Sequence, residues 1–154
     1  MNYAKYQQDL QRIHESEVYG QAVFATAARL TRNTERKAKW RMLKALEDET
    51  LARYLAYMNR SGQQVVEPRA WALKGYAEGL ALGLMPWELA MRLVRDGTRP
   101  FQQTFLRLKN NSNKPDLEFF SYVYAHEKAI EAFAVKELAN EQGSLKAVER
   151  LLAG

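Results

Sequence analysis

Cysteine is absent from the 154 residues, which excludes disulfides, thiol catalysis, thiolate zinc sites and iron–sulfur clusters and fits a reducing, cytoplasmic setting. No stretch approaches the roughly 18 uninterrupted apolar residues that a spanning helix needs, and Met1 to Leu10 lacks a basic-then-apolar leader pattern, so neither membrane insertion nor secretion is expected. There is no strand alternation, internal repeat, glycine-rich phosphate loop, Gly-x-Ser-x-Gly elbow or Ser/His/Asp arrangement, and hydrolase chemistry has no support. Proline is scarce too, at four residues, so long helices can run without interruption. What is present, 47% apolar and 27% charged residues, suffices for an ordinary core, and one domain over residues 1–154 is expected.

From Tyr3 to Thr31 apolar or small residues recur every three or four positions through Tyr6, Leu10, Ile13, Gly20, Phe24, Ala27 and Thr31, the period of one long helix. Arg32-Asn33-Thr34 breaks it, with Asn33 or Thr34 able to cap the next helix and Glu35 suited to its positive end. That second helix runs to about Arg60, its inward stripe reading Leu43, Glu47, Thr50, Tyr54 and Tyr57. The short link makes the pair antiparallel. Ser61-Gly62 ends it, and Gln63 to Pro68, if extended, makes a crossover.

The third element opens near Arg69, is interrupted at Pro86 and Asp96-Gly97, and reaches about Leu108. Its two stripes, Leu73, Ala77, Leu80, Leu84 and Trp71, Leu82, Leu89, predict burial on two sides, with Gly75, Gly79 and Gly83 packing closely. A fourth long helix, capped by Asp116, spans Leu117 to about Ala139 with Phe120, Val123, Glu127, Ile130, Ala134 and Leu138 inward. Ser144 caps a short C-terminal helix. The expected architecture is an all-α bundle of four helices with a kinked or broken third helix.

Three of these apolar stripes carry a glutamate. At 100° per residue Glu17, Glu47 and Glu127 each stand about 40° from an inward neighbour, so they point into the bundle. Glu17 and Glu47 each lie roughly 15 residues from the first turn, about 22 Å at 1.5 Å per residue, and face one another at one level. Buried carboxylates need cations, donors or a shared proton. Either a metal is bound in the bundle core or tyrosines and arginines answer the charge; Tyr54 is a candidate donor, and Thr50 lies on the same stripe.

Glu17, Leu46-Glu47-Asp48-Glu49-Thr50 and Ala125-His126-Glu127-Lys128-Ala129-Ile130 resemble the ferritin-like superfamily of di-iron carboxylate proteins. In that superfamily the first helix supplies a Glu, and the second and fourth each supply Glu-x-x-His. Here those motifs read Glu47-x-x-Thr50 and Glu127-x-x-Ile130, so both histidines are replaced. The resemblance implies a ferritin-like four-helix bundle and a metal site, with iron or manganese held by Glu17, Glu47 and Glu127 and redox chemistry as the reaction class. It also implies a carboxylate from the third helix, for which helical phase favours Glu88 over Glu78. Of the two histidines, His14 lies about 60° from Glu17 and approaches the same layer, whereas His126 lies about 100° from Glu127 and is expected to face a neighbouring helix.

A metal-free bundle holding a partner or small apolar ligand is the alternative function. The net charge is +5, much of it around the first hairpin. Arg32, Arg36 and Arg41 make that end a nucleic-acid candidate, although no aromatic platform or recognised motif accompanies them and a solvated hairpin end is the preferred reading. Homodimerisation through an exposed stripe of the third element is the remaining partner expectation.

Overall fold

The computed structural model describes residues 1–154 as seven helices: α1 (Tyr3–Leu30), α2 (Thr34–Arg60), α3 (Arg69–Leu84), α4 (Trp87–Gly97), α5 (Arg99–Asn110), α6 (Lys114–Leu138) and α7 (Lys146–Ala153). There are no strands, and no helix is long and apolar enough to cross a membrane. Polar caps set several boundaries. Asn2 accepts from the Lys5 amide to start α1, Asn33 accepts from the Arg36 amide to start α2, and Asn113, rather than the expected Asp116, accepts from the Asp116 amide to start α6. Nor does Ser144 cap α7; its hydroxyl donates to Glu137 instead.

Side-chain contacts fix the helix directions. Tyr6 on α1 meets Tyr57 on α2 and Phe120 on α6, while Lys39 on α2 meets Glu137 on α6 at the other end. Therefore α1 and α6 run one way and α2 runs back between the same two ends. The segment between α2 and α3 climbs along α1, with Gln7 donating to Gln63 and Gln11 to the Val66 carbonyl. The expected crossover is thus extended chain laid against the first helix.

The third element is three separate helices. Pro86 offers no amide, and Met85 before it adopts ψ 164°, the extended conformation imposed on a residue preceding proline. A further break falls at Gly97-Thr98, and α4 and α5 both lie against α6. Burial of α3 on two sides is not observed. Its one buried edge is Gly75 and Gly79, where a β-carbon would come within 2.5 Å of the Tyr19 carbonyl oxygen and 2.6 Å of that of Val23. With those glycines against α1, Leu73, Leu80 and Leu84 fall on the opposite side and are exposed.

The apolar interior is split in two. One cluster contains Val23, Leu43, Leu46, Trp40, Ile130 and Phe133, the other Leu10, Ile13, Tyr54, Tyr57, Phe120 and Val123. Between them along every long helix lies a polar stratum: Ser16 and Glu17 on α1, Glu47 and Thr50 on α2, and His126 and Glu127 on α6, all buried. The stratum occupies the level that the distances from the first turn predict.

Candidate metal centre

Gly20 makes the space for Glu47. A β-carbon there would stand 2.5 Å from Glu47 Oε1 and 2.6 Å from Oε2, so the carboxylate occupies the volume a side chain on α1 would fill. Glu17 reaches the same space from one turn earlier on α1. His126 of α6 enters between the two carboxylates, its Nδ1 3.4 Å from Glu17 Oε1 and its Nε2 3.3 Å from Glu47 Oε1. One ligand atom from each of the three residues lies within 4.8 Å of the others. Glu127, the next residue on α6, turns the other way and accepts a 3.0 Å hydrogen bond from the Ser16 hydroxyl.

Hydrogen bonding is incomplete here. The contacts of His126 are close, but neither ring nitrogen has a hydrogen-bond partner, and neither do Glu17 Oε1, Glu17 Oε2 or Glu47 Oε2. Five buried polar atoms therefore face one another without donors correctly placed between them. Leaving a buried polar group unmet costs about 1–3 kcal/mol, more for a charged one, so a cluster of five calls for an additional occupant or proton.

The electrostatics follow from crowding. Burial, reinforced by the charge of Glu17, raises the Glu47 carboxyl well above the ordinary range despite the imidazole beside it. Burial followed by the charge on Glu47 pushes Glu127 up to about 7, with His126 and the Ser16 hydroxyl resisting. Burial alone would keep His126 neutral, but the Glu17 and Glu47 charges outweigh it and raise the ring well above its ordinary value. In the metal-free chain the two acids thus favour a proton on the ring against the cost of its burial. A metal ion would replace that proton: an imidazole nitrogen and carboxylate oxygens are the donor set of iron, manganese and zinc sites.

The other expected site residues fall elsewhere. Glu88 is exposed and bound to Arg92 at 2.6 Å, because the break at Pro86 destroys the helical phase that placed it inward. His14 is buried but packs against Tyr54 with ring centroids 5.0 Å apart and the rings tilted by 34°, beside the connector; burial lowers its pKa against the pull of Glu67 and the Val66 carbonyl. The Tyr54 hydroxyl donates to no carboxylate, and burial pushes it up to about 12. Thr50 donates to the Leu46 carbonyl within its own helix. None of these four contributes to the cluster.

His126 takes the place that phase assigned to His14. Its seven-residue series Phe119, His126, Phe133 is buried throughout, which shows that α6 presents a wider inward arc than the Glu127 stripe alone. Two aromatics at seven-residue spacing around the histidine were the available signal.

At the hairpin end Arg32, Arg36 and Arg41 are exposed. Arg36 lies over the Trp87 ring, and the groove beside it carries Glu35, Glu137, Glu141 and Glu149 as well as Lys39. The charges lining that groove are mixed in sign.

A cavity of about 670 Å³ opens between α1, α3, α4 and α5, and both Glu47 and Glu127 border it. The acidic stratum is thus reached through a chamber of the size that holds small organic molecules.

No family model, curated protein or solved structure matches the chain.

Proposed function

We propose that the chain is a ferritin-like helical-bundle protein that binds a transition metal, iron or manganese, through Glu17, Glu47 and His126, with Glu127 beside the site and redox chemistry as its reaction class. On this reading α1, α2, α6 and the broken α4–α5 pair make the bundle, and α3 is an added helix on α1. His126 supplies the imidazole that Thr50 and Ile130 do not. The observation that carries the proposal is the set of five buried atoms of Glu17, Glu47 and His126 that lack hydrogen-bond partners. Coordination would satisfy them, and one nitrogen of His126 would remain available to a carboxylate, as is usual for metal-bound imidazole. A bound iron or manganese would supply a site for electron transfer and for polarising a ligand.

Elemental analysis of protein purified without chelator tests this. The expected result is stoichiometric iron or manganese, lost in Glu47→Ala and His126→Ala. Metal-free protein whose thermal stability does not respond to added Fe²⁺ or Mn²⁺ would reject the proposal. It would leave the second reading, a metal-free protein that holds a small molecule in the cavity beside Glu47 and Glu127.

A further inference from the structure

The cavity has two chemically distinct ends. At the buried end are Glu47, Glu127 and Ser16. The middle is apolar, with Val23, Phe24, Leu82, Met85, Val94 and Ile130 on its walls. At the open end stand Arg12 and Lys74, their side chains about half exposed at 48% and 53%. Both share one aromatic support: Arg12 Cζ lies 5.3 Å and Lys74 Nζ 4.7 Å from the centroid of Trp71. Tyr19 and Phe101 complete the entrance, with ring centroids 5.9 Å and 6.2 Å from Trp71.

The cations have contact capacity left over. Arg12 contacts Glu15 through one terminal nitrogen, and Lys74 is a loose 3.7 Å from Glu78, whose carboxylate already accepts from the Tyr19 hydroxyl. An aromatic cluster without them would suit a quaternary ammonium ion, but here Arg12 and Lys74 already occupy the cation positions over Trp71. Glu78 also lines this end, but its carboxylate is engaged by the Tyr19 hydroxyl and Lys74, so what the entrance has to spare is N–H donors, which suit an anion better than a second cation. The walls between the entrance and the buried end are apolar, so a charged head stays at the entrance, beside Arg12 and Lys74 and in reach of water, and one orientation is preferred.

We propose that this cavity is the substrate site and that it takes an amphiphilic organic acid, a carboxylate on a single apolar body. The carboxylate lies at Arg12 and Lys74, the body fills the chamber, and its far carbons approach Glu47 and Glu127. The inference rests on the metal-site reading for its chemical meaning, because it identifies the part of the molecule presented to that centre. Binding itself is a separate observable.

Decanoate is the probe, titrated by calorimetry into the purified full chain, with metal content measured on the same sample. Decan-1-ol and decyltrimethylammonium have related bodies and different heads. Decanoate is expected to bind at least tenfold more tightly than decyltrimethylammonium. In the double variant Arg12→Gln with Lys74→Gln its affinity falls at least tenfold, while decan-1-ol binding is unchanged. The charge-keeping pair Arg12→Lys with Lys74→Arg retains decanoate, which separates loss of charge from loss of fold. Three results overturn the proposal: no decanoate binding by folded wild type, equal binding of the ammonium analogue, or indifference to the double variant. If any of these occurs in metal-loaded protein, the metal reading survives alone. Head-selective decanoate binding by protein that takes up no metal supports the acid site and refutes the metal reading.

Discussion

Replacing Glu127 by Gln in the metal-free chain keeps the shape of the side chain and removes its titration. In the native fold this carboxyl is pushed up to about 7 from an ordinary 4.5, so the folded state holds its proton more tightly than the unfolded state. The stabilising effect is fully present below pH 4.5 and is lost as pH rises to about 7; above that it is constant. At 1.36 kcal/mol for each pH unit between the two values, the loss comes to about 3 kcal/mol. His126, raised well above its ordinary value, contributes stability that also declines with rising pH, so the wild-type profile alone cannot isolate Glu127. The difference between wild type and Glu127→Gln reports Glu127 together with its coupling to His126. Urea unfolding with chelator present, at intervals from pH 4.5 to 8.5, should give variants of similar stability at the acid end and a mutant more stable by up to about 3 kcal/mol at the alkaline end. Parallel profiles across this range would refute the claim that Glu127 is buried beside charge without adequate compensation.

Gly20→Ala should move the Glu47 carboxylate, because the new methyl would stand 2.5 Å from its Oε1. Helix propensity would add up to about 1 kcal/mol of stability and overpacking would remove about 1–3, so the expected net is a modest loss, together with at least tenfold weaker metal binding; a more stable variant with unaltered metal content contradicts the placement. Arg107→Ala strips the buried Asp9 of a two-pronged contact at 2.7 and 2.8 Å and leaves only Lys5 at 3.2 Å, so chemical denaturation should report a loss of about 3 kcal/mol. Glu88→Gln, in contrast, should leave metal content unchanged and stability within about 0.5 kcal/mol, and loss of metal in this variant would reinstate Glu88 as a ligand.

The long helices were legible because their stripes have a single period and their breaks have local causes. Asn33 caps α2 as its chemistry requires, and Leu43, Glu47, Thr50, Tyr54 and Tyr57 are all buried. The α3 segment was not legible in the same way. Leucines at 73, 80 and 84 and glycines at 75, 79 and 83 are both valid packing stripes on one helix, and periodicity does not rank them. Contact with α1 does: only the glycine edge lets the two backbones approach, with a β-carbon at Gly79 facing the Val23 carbonyl at 2.6 Å. The leucines are then exposed as a consequence of a contact between residues some 55 positions apart.

Phase failed differently at the two histidines. A helical wheel measures angle from one chosen stripe, but α6 is packed by α2, α4, α5 and α7, so its buried arc is wider than one stripe. An offset of about 100° from Glu127 therefore leads to another buried seam, and that seam contains Glu17 and Glu47. His14 has the smaller offset from Glu17 but faces Tyr54 and the connector that climbs α1, a neighbour whose path the helical period does not specify. The same wide arc gives α6 two acid–base neighbours with different access: His126 is enclosed between Glu17 and Glu47, while Glu127 borders the cavity. On the proposed reading, adjacent residues on one helix thereby separate the group that would hold the metal from the group that would meet a ligand in the chamber.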